Sequence, residues 1–371
     1  MRKLLVKSTL RLAACLLVLP SCAWLSSMRL GATPTPINLA IPSNPIQTTS
    51  PQTTLPVKAT PEAALLQSPG ETLAPAPIGI TAPVFDQTAI KHLIALSEMI
   101  GPREAGTANE SKAAQYIEAA LKELGYQTCL QPFGFPGDDD TIQYSANVIG
   151  IKAGQSTKAI IVGAHYDSVA IGRGADDNAS GVAVMLEVAE MIKALPTPYT
   201  IRFVAFGAEE MGLSGSSYYG KKMSAADIQN TISMINLDSL IAGNTPNVYG
   251  DSQPKGALLD WFLEFAKSRD LDLQTQPVKN LDYPDGTPCD CADYSAFQAA
   301  GIPFAFFEAT DWNLGDQDGW TQVDPKFGKH GEIWNTKYDY LDYINQNFPG
   351  RIEQHLNLFV TLLYSGLTQF K

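Results

Sequence analysis

His165, Asp177, Glu210 and Asp238 carry side chains suited to holding a metal, and each stands where a hydrophobic run gives out, in the phrases IIVGAHYDS, GADDNASG, FVAFGAEE and MINLDS. Zinc takes imidazole nitrogen and carboxylate oxygen as ligands. In open α/β sheets the carboxyl ends of the strands open onto the ligand crevice, so donors collected at strand ends point to a metal centre. Taken singly, these residues have plainer readings. Asp177 or Asn178 would serve as the N-cap of a helix starting near Ala179, and Glu209 with Glu210 as first-turn charges that complement a helix dipole. One pattern recurring along the chain favours the metal over a set of unrelated caps.

The elements that would place these residues follow from the spacing of apolar side chains. Helical periods run over Gln87–Met99 and Asn109–Leu124, where Tyr116, Ile117, Ala120, Leu121 and Leu124 share a face and Gly125 follows as a C-cap would. Short apolar runs predict buried strands at Asn147–Ile151, Ala159–Ala164, Thr200–Phe206, Ser233–Leu237 and Phe304–Phe307. Further helices are expected at about Ala179–Leu195, Gly256–Arg269, Asp293–Ala300 and Arg351–Tyr364. Strands alternating with helices predict a largely parallel sheet covered on both faces.

The front end has a different character. Residues 1–22 read as an export signal, with Arg2, Lys3, Lys7 and Arg11 as a basic region and Leu12–Leu19 as an apolar stretch too short to span a bilayer. It ends Leu19-Pro20-Ser21-Cys22, which resembles a bacterial lipobox, with Pro20 departing from the usual residue; a lipid on Cys22 would anchor the chain to a membrane, whereas ordinary signal-peptidase cleavage would leave it secreted. Residues 23–85 read as a tether. Between Gly31 and Pro83 lie 11 of the 25 prolines and only three charged residues, Lys58, Glu62 and Glu71. Such a stretch buries too little apolar surface to offset its ordering entropy. A folded domain is expected over residues 86–371.

Charge excludes some partners. The chain has a formal charge of −12, and the part beyond residue 83 is more acidic still, at about −16. Nucleic acid and anionic membrane surfaces both require basic patches, so neither is an expected partner. A cationic ligand suits the balance, and acidic surfaces also serve solubility.

The motifs fall in a recognisable order: HxD (His165, Asp167), GADDNASG (Gly174–Gly181), the pair Glu209-Glu210 after an apolar strand, and NLD (Asn236–Asp238). In that order, over roughly residues 86–371 and including the lead-in IGPREAGT (Ile100–Thr107), the chain resembles the co-catalytic zinc aminopeptidases of metallopeptidase family 28, a group that also contains glutamate carboxypeptidases and glutaminyl cyclases. The resemblance implies a three-layer α/β/α sandwich around a mixed, largely parallel sheet, and two zinc ions. Asp177 would bridge them, His165 and Asp238 would complete one site, and Glu210 would belong to the other. It further implies Asp167 as acceptor for the second imidazole N–H, Glu209 as general base, and a cis peptide at Asp177–Asn178. Asp293-Tyr294-Ser295 resembles the family's SDH stretch with tyrosine for histidine, which makes Asp290, Asp293 and Tyr294 substrate-pocket candidates, with a helix cap as the plain alternative for Asp293.

One departure stands out. The family's last zinc ligand is a histidine in a phrase like HTxxDT, and here Trp334-Asn335-Thr336-Lys337-Tyr338-Asp339 matches it with Asn335 in the histidine's place. His330, five residues earlier on a glycine-rich loop, is the alternative ligand. Of the other histidines, His92 and His355 fall in expected helices as packing or surface residues. Cys289 and Cys291 superficially suggest a deaminase zinc motif, but the order is reversed and the spacing short. In an exported chain a disulfide among Cys129, Cys289 and Cys291 is the default, with the pairing open.

Three functions are therefore weighed: an exported aminopeptidase acting on peptides with a free N-terminus; a single-zinc acyltransferase like the glutaminyl cyclases, whose zinc would need the altered final histidine; and a non-catalytic binding module. Retention of Glu209 and of His165, Asp177 and Asp238 favours the first.

Overall fold

The first apolar periods form helix α1 (Thr88–Ile94), continued to Ile100 by a wider π-helical turn, and helix α2 (Ala108–Glu123). The hydroxyl of Thr107 accepts the Glu110 N–H to cap α2, and the stripe Ala113, Ile117 and Leu121 is fully buried. This is a computed structural model, and it describes residues 88–137, 141–251, 257–277, 291–327 and 331–371; the expected leader and tether, with Cys22, Cys289, Asp290 and His330, lie outside them.

After α2 come β1 (Gln127–Pro136), β2 (Ile142–Lys152), β3 (Ser156–His165), α3 (Gly181–Ile192), β4 (Tyr199–Phe206), α4 (Ser214–Lys222), α5 (Ala225–Asn230), β5 (Thr231–Leu237), β6 (Thr245–Gly250), α6 (Ala257–Ser268), α7 (Tyr294–Ala299), β7 (Phe304–Thr310), α8 (Leu341–Asn347) and α9 (Arg351–Gln369). The strands make one sheet in the order β1-β2-β4-β3-β5-β7-β6. Its centre, β4-β3-β5-β7, is parallel, and antiparallel pairings of β1 with β2, β2 with β4 and β6 with β7 complete it. The fold is thus a mixed sheet, parallel in the middle and flanked by helices.

Two strands escaped the sequence reading for physical reasons. β1 reads QTCLQPFGFP, with prolines and a glycine, and β6 opens with Thr245-Pro246. Both are edge strands, where a missing N–H need not break a ladder. Likewise α5 buries none of its residues and shows no apolar stripe; the capping box of Ser224 and Asp227 holds its start.

Alternation along the strands decides what faces where. On one face Ile160, Val162, Ile235, Leu237, Ala305 and Phe307 join the larger core under α3, α6 and α9. On the other Ile161, Val204, Phe206, Met234, Phe304 and Phe306 pack beneath α4 and α7, with Phe206, Tyr219 and Phe297 in mutual ring contact at centroid distances of 5.8–6.0 Å. Further along this second face, at even spacing, lie His165 on β3, four residues past Ile161, Asp238 just past β5, four past Met234, and Glu308 on β7, two past Phe306. Gly163 belongs here too, because a Cβ at that position would fall 2.5 Å from Phe206 and 2.7 Å from Met234.

Candidate active site

His165 closes β3 with only 1% of its surface exposed. Its Nε2 lies 2.9 Å from Asp177 Oδ1, 3.4 Å from Asp238 Oδ1 and 4.0 Å from Glu209 Oε2, so three carboxylates from three loops converge on one ring nitrogen. One donor atom each from His165, Glu209 and Asp238 fall within 4.8 Å of one another. These residues and Glu210 line a pocket of about 390 Å³, and among the described residues that line it His165 is the only basic side chain.

Each acid arrives by a specific device. Asp177 and Asn178 sit in a wide irregular turn before α3, joined by a cis peptide. Asn178 Oδ1 accepts the Gly181 N–H at 2.9 Å as a helix cap would, while Asp177 turns its carboxylate to His165. Glu209 and Glu210 precede α4, whose first turn holds no acid, so they are not dipole partners of that helix. Their backbone N–H groups donate to Asp167 Oδ1 and Oδ2 at 3.0 and 3.1 Å. Asp167 Oδ1 stands 3.5 Å from His165 Nδ1, so the carboxylate expected beside the imidazole chiefly clamps the loop that carries the two glutamates. Left-handed backbone at Ala208 (φ 52°) and Ser239 (φ 48°) flanks these acids, a conformation that costs about 1–3 kcal/mol at a non-glycine residue and gathers at functional sites.

Supporting residues that the sequence did not reveal lie behind the acids. Asp339, the last residue of the WNTKYD phrase, accepts the N–H groups of Asp176 and Asp177 at 2.6 and 3.1 Å. Asp176 accepts from the N–H groups of Ile241 and Ala242 and from Gln322 Nε2, and Gln322 Oε1 in turn accepts from the N–H groups of Ile333 and Trp334. The fully buried Arg103 donates to the carbonyls of Tyr166, Leu96, Gly101, Arg173 and Gly174, binding the IGPREAGT lead-in to the loop after β3. Burial lowers its pKa to about 10, which leaves it charged. Apart from the bonds of Arg103 to Leu96 and Gly101, these contacts join distant segments, and no local pattern marks them.

The remaining candidates divide. Asn335 lines the pocket with φ 55°, a conformation asparagine and histidine tolerate better than most residues. Asp293 stands at the N-cap of α7 but makes no capping bond; both its carboxylate oxygens are buried without a hydrogen-bond partner, and the neighbouring Ser216 hydroxyl donates to Leu213 instead. Tyr294, expected at the pocket, is packed in the core, its ring stacked on Phe304 at 4.1 Å, because a large ring at that position completes the aromatic layer. Cys129 and Cys291 are both disulfide-bonded, and Cys291 lines the pocket.

The electrostatics fit a cation. Burial raises Glu210 to about 9 and pushes Glu209 well above the carboxylate range, with neighbouring acids adding to it. Burial opposes charge on His165, yet the carboxylates of Asp238 and Glu209 hold its pKa well above the ordinary value. One imidazole against this many carboxylates leaves the site short of positive charge, and Glu210 Oε1 is buried without a hydrogen bond. Imidazole and carboxylate together are a zinc donor set, so the residues present fit that metal.

Glu110 supplies a test at a distance from the metal donors. Its carboxylate accepts from the N–H groups of Gly106 at 2.6 Å and Ala208 at 3.2 Å, and from the Ser145 hydroxyl, and burial raises its pKa to about 7. A folded-state pKa above the unfolded value means that the native state holds the proton more tightly. Its stabilising contribution is full below about pH 4.5 and is lost as pH rises through about 7. Thermal melts of the metal-free protein are expected to lose on the order of 3 kcal/mol between those limits through this group, and Glu110→Gln is expected to flatten the slope; an unchanged slope contradicts the assignment.

Comparison with known proteins agrees with this geometry. The family model described as peptidase family M28 matches residues 147–360. The chain is similar to the alkaline phosphatase isozyme conversion protein of Escherichia coli strain K12, at 33% identity over 298 residues that cover 73% of this chain and 85% of that protein. It is 48% identical over 101 residues to the aminopeptidase YwaD of Bacillus subtilis strain 168, covering 26% of this chain and 22% of that one. In fold it resembles a zinc aminopeptidase from Bacillus subtilis, with a TM-score of 0.62 at 22% identity over 78% of this chain and 97% of the other. The chain belongs to peptidase family M28.

Proposed function

We propose that this chain is an exported aminopeptidase that removes N-terminal residues from peptides with two zinc ions. In this reading His165, Asp177 and Asp238 would hold one ion, and Asp177 with Glu210 and Asn335 would hold the second. The observation that carries the proposal is the convergence of His165 Nε2 with Asp177, Asp238 and Glu209 in one pocket at the strand ends. Zinc in such a donor set polarises a scissile carbonyl and makes a coordinated water nucleophilic near neutral pH.

The protein's own groups supply the rest. Glu209 takes the proton of the attacking water and passes it to the leaving amine, a transfer favoured by the raised pKa that burial gives it. Asp167 keeps this carboxylate in place through the backbone of Glu209 and Glu210. The acidic pocket accepts the substrate's α-ammonium. Purified protein is expected to release free amino acids from short peptides and aminoacyl arylamides and to stop in excess chelator; undiminished turnover in chelator contradicts the reading.

Asn335 offers a neutral carbonyl oxygen where zinc prefers imidazole or carboxylate, so the second ion is expected to bind more weakly than the first. Asn335→His is expected to raise zinc content toward two per chain, since histidine also tolerates left-handed backbone. His330 is the competing ligand. Zinc lost from His330→Ala but retained in Asn335→Ala, measured by elemental analysis, transfers the role to it.

Export is supported by the basic and apolar leader and by the disulfide state of Cys129 and Cys291, since disulfides persist in oxidising compartments. Among the described residues no helix is long and apolar enough to cross a membrane. Attachment would then rest on a diacylglyceryl thioether at Cys22, and mass spectrometry of the mature N-terminus is expected to find it. An unmodified N-terminus downstream of Cys22 ends the anchoring proposal.

A further inference from the structure

Glu110 has no part in the chemistry assigned above, yet its buried carboxylate reaches the loop that carries both glutamates. Four successive N–H groups of that loop donate to side chains from three other segments. Gly207 donates to Asn147 Oδ1 on β2 at 3.3 Å, Ala208 to Glu110 Oε1 on α2 at 3.2 Å, and Glu209 and Glu210 to the two oxygens of Asp167. An ordinary surface loop satisfies such donors with water or with its own carbonyls. Here each amide is fixed from outside.

What else Glu110 binds gives this contact its weight. Its Oε2 accepts the Gly106 N–H at 2.6 Å, in the lead-in ahead of α2, and the Ser145 hydroxyl on β2 donates to the same Oε1 that meets Ala208. One carboxylate thus joins the lead-in, β2 and the glutamate loop. Apolar packing runs the same way, with Ala105 and Ala208 in one small cluster beside Phe133 and Phe135. The backbone has no slack there, since a Cβ at Gly207 would fall 2.2 Å from Ser145 Oγ and 2.8 Å from the Tyr166 hydroxyl. Ala208 itself is left-handed at φ 52°, a conformation that persists only where surrounding contacts determine it.

We propose that Glu110 is a positioning residue for Glu209, aiming that carboxylate at the metal site through the Ala208 amide. The inference rests on the aminopeptidase reading and adds to it the device that holds its proton carrier. Residue 208 comes directly before Glu209, so its dihedral angles set the direction in which the Glu209 side chain leaves the backbone. Ala208 is fully buried. Without Glu110 its N–H would be left unpaired, a cost that the loop relieves by relaxing out of the left-handed turn and carrying Glu209 with it. Asp167 would still hold the two amides that follow, which confines the effect to aim rather than to metal retention.

The test uses the full zinc-loaded chain with aminoacyl arylamides. Glu110→Ala is expected to lower kcat by on the order of 100-fold, the scale of a catalytic group misplaced by about an ångström, with KM and zinc content close to the parent. Glu110→Gln keeps a carbonyl that can accept from Ala208, and is expected to lose only on the order of tenfold. In the Glu209→Gln background no proton carrier remains to be aimed, so there Glu110→Gln is expected to cost less than about twofold. Losses that simply multiply between the two backgrounds overturn the proposal, as does a fall in zinc that matches the fall in rate. Hydrogen exchange followed by mass spectrometry gives a reading independent of turnover. The peptide spanning residues 203–213 is expected to exchange on the order of tenfold faster in Glu110→Ala, and by less in Glu110→Gln, with β3 and β5 unchanged. That pattern in a chain that hydrolyses no arylamide would sustain the hold on the loop and refute the peptidase roles, while unchanged exchange in that peptide overturns the hold.

Discussion

Glu209→Gln is expected to lower kcat by on the order of 10³-fold while leaving zinc content, fold and KM close to those of the parent, because general acid–base transfer typically contributes about 10²–10⁴. Glu209 is held through its backbone N–H by Asp167, so the isosteric amide keeps the loop in place and removes only the proton acceptor. Asp177, Asp238 and His165 are untouched by the change, which predicts that the metal stays. A fall in zinc content matching the fall in rate would instead make Glu209 a ligand, a role its carboxylate is near enough to take, with Oε2 4.0 Å from His165 Nε2. Parallel elemental analysis and steady-state kinetics decide between the two.

The second large effect separates neighbouring aspartates. Asp177→Ala is expected to abolish measurable turnover and strip zinc, with a melting temperature close to that of the metal-free parent, since its side chain faces His165 and its backbone is held independently by Asp339. Asp176→Ala should do something different. That carboxylate is fully buried and ties three segments together through Ile241, Ala242 and Gln322. Removing it leaves buried donors unpaired at about 1–3 kcal/mol each, so the variant is expected to unfold well below the parent. Equal zinc retention in the two variants would contradict the division of labour between them.

The contrast also shows why part of the site was legible in the sequence and part was not. His165, Glu209, Glu210 and Asp238 could be found because each lies at or just past the end of an apolar strand whose burial on both faces leaves a continuous hydrophobic run; Asp177, in the turn before α3, could be found because its phrase takes its place in the order of a known series. Asp176 stands next to Asp177 in the same phrase, yet its partners lie 65, 66 and 146 residues away, and no local period reports them. Arg103 was quoted only as part of a lead-in; its bonds to Arg173 and Gly174 span 70 and 71 residues. Glu308 was hidden by its own strand, since FAFFEA reads as a buried run with one interruption until the register with β5 puts it beside Asp238. Tyr294 was misread because the family phrase carries pocket residues there, while the ring in this chain packs on Phe304. In the fold, the parallel centre was readable from its apolar runs. The edges were not, since Pro132, Pro136 and Pro246 disguise strands that tolerate them only at a border.

The most direct measurement is mass spectrometry of a peptide with a free N-terminus, followed over time with the zinc-loaded chain, beside the same peptide N-acetylated. Stepwise loss of single residues from the free N-terminus, none from the acetylated peptide, and none of either in excess chelator is the expected result. Cleavage within the chain, trimming from the carboxyl end, or loss of ammonia from an N-terminal glutamine without hydrolysis would contradict the aminopeptidase account.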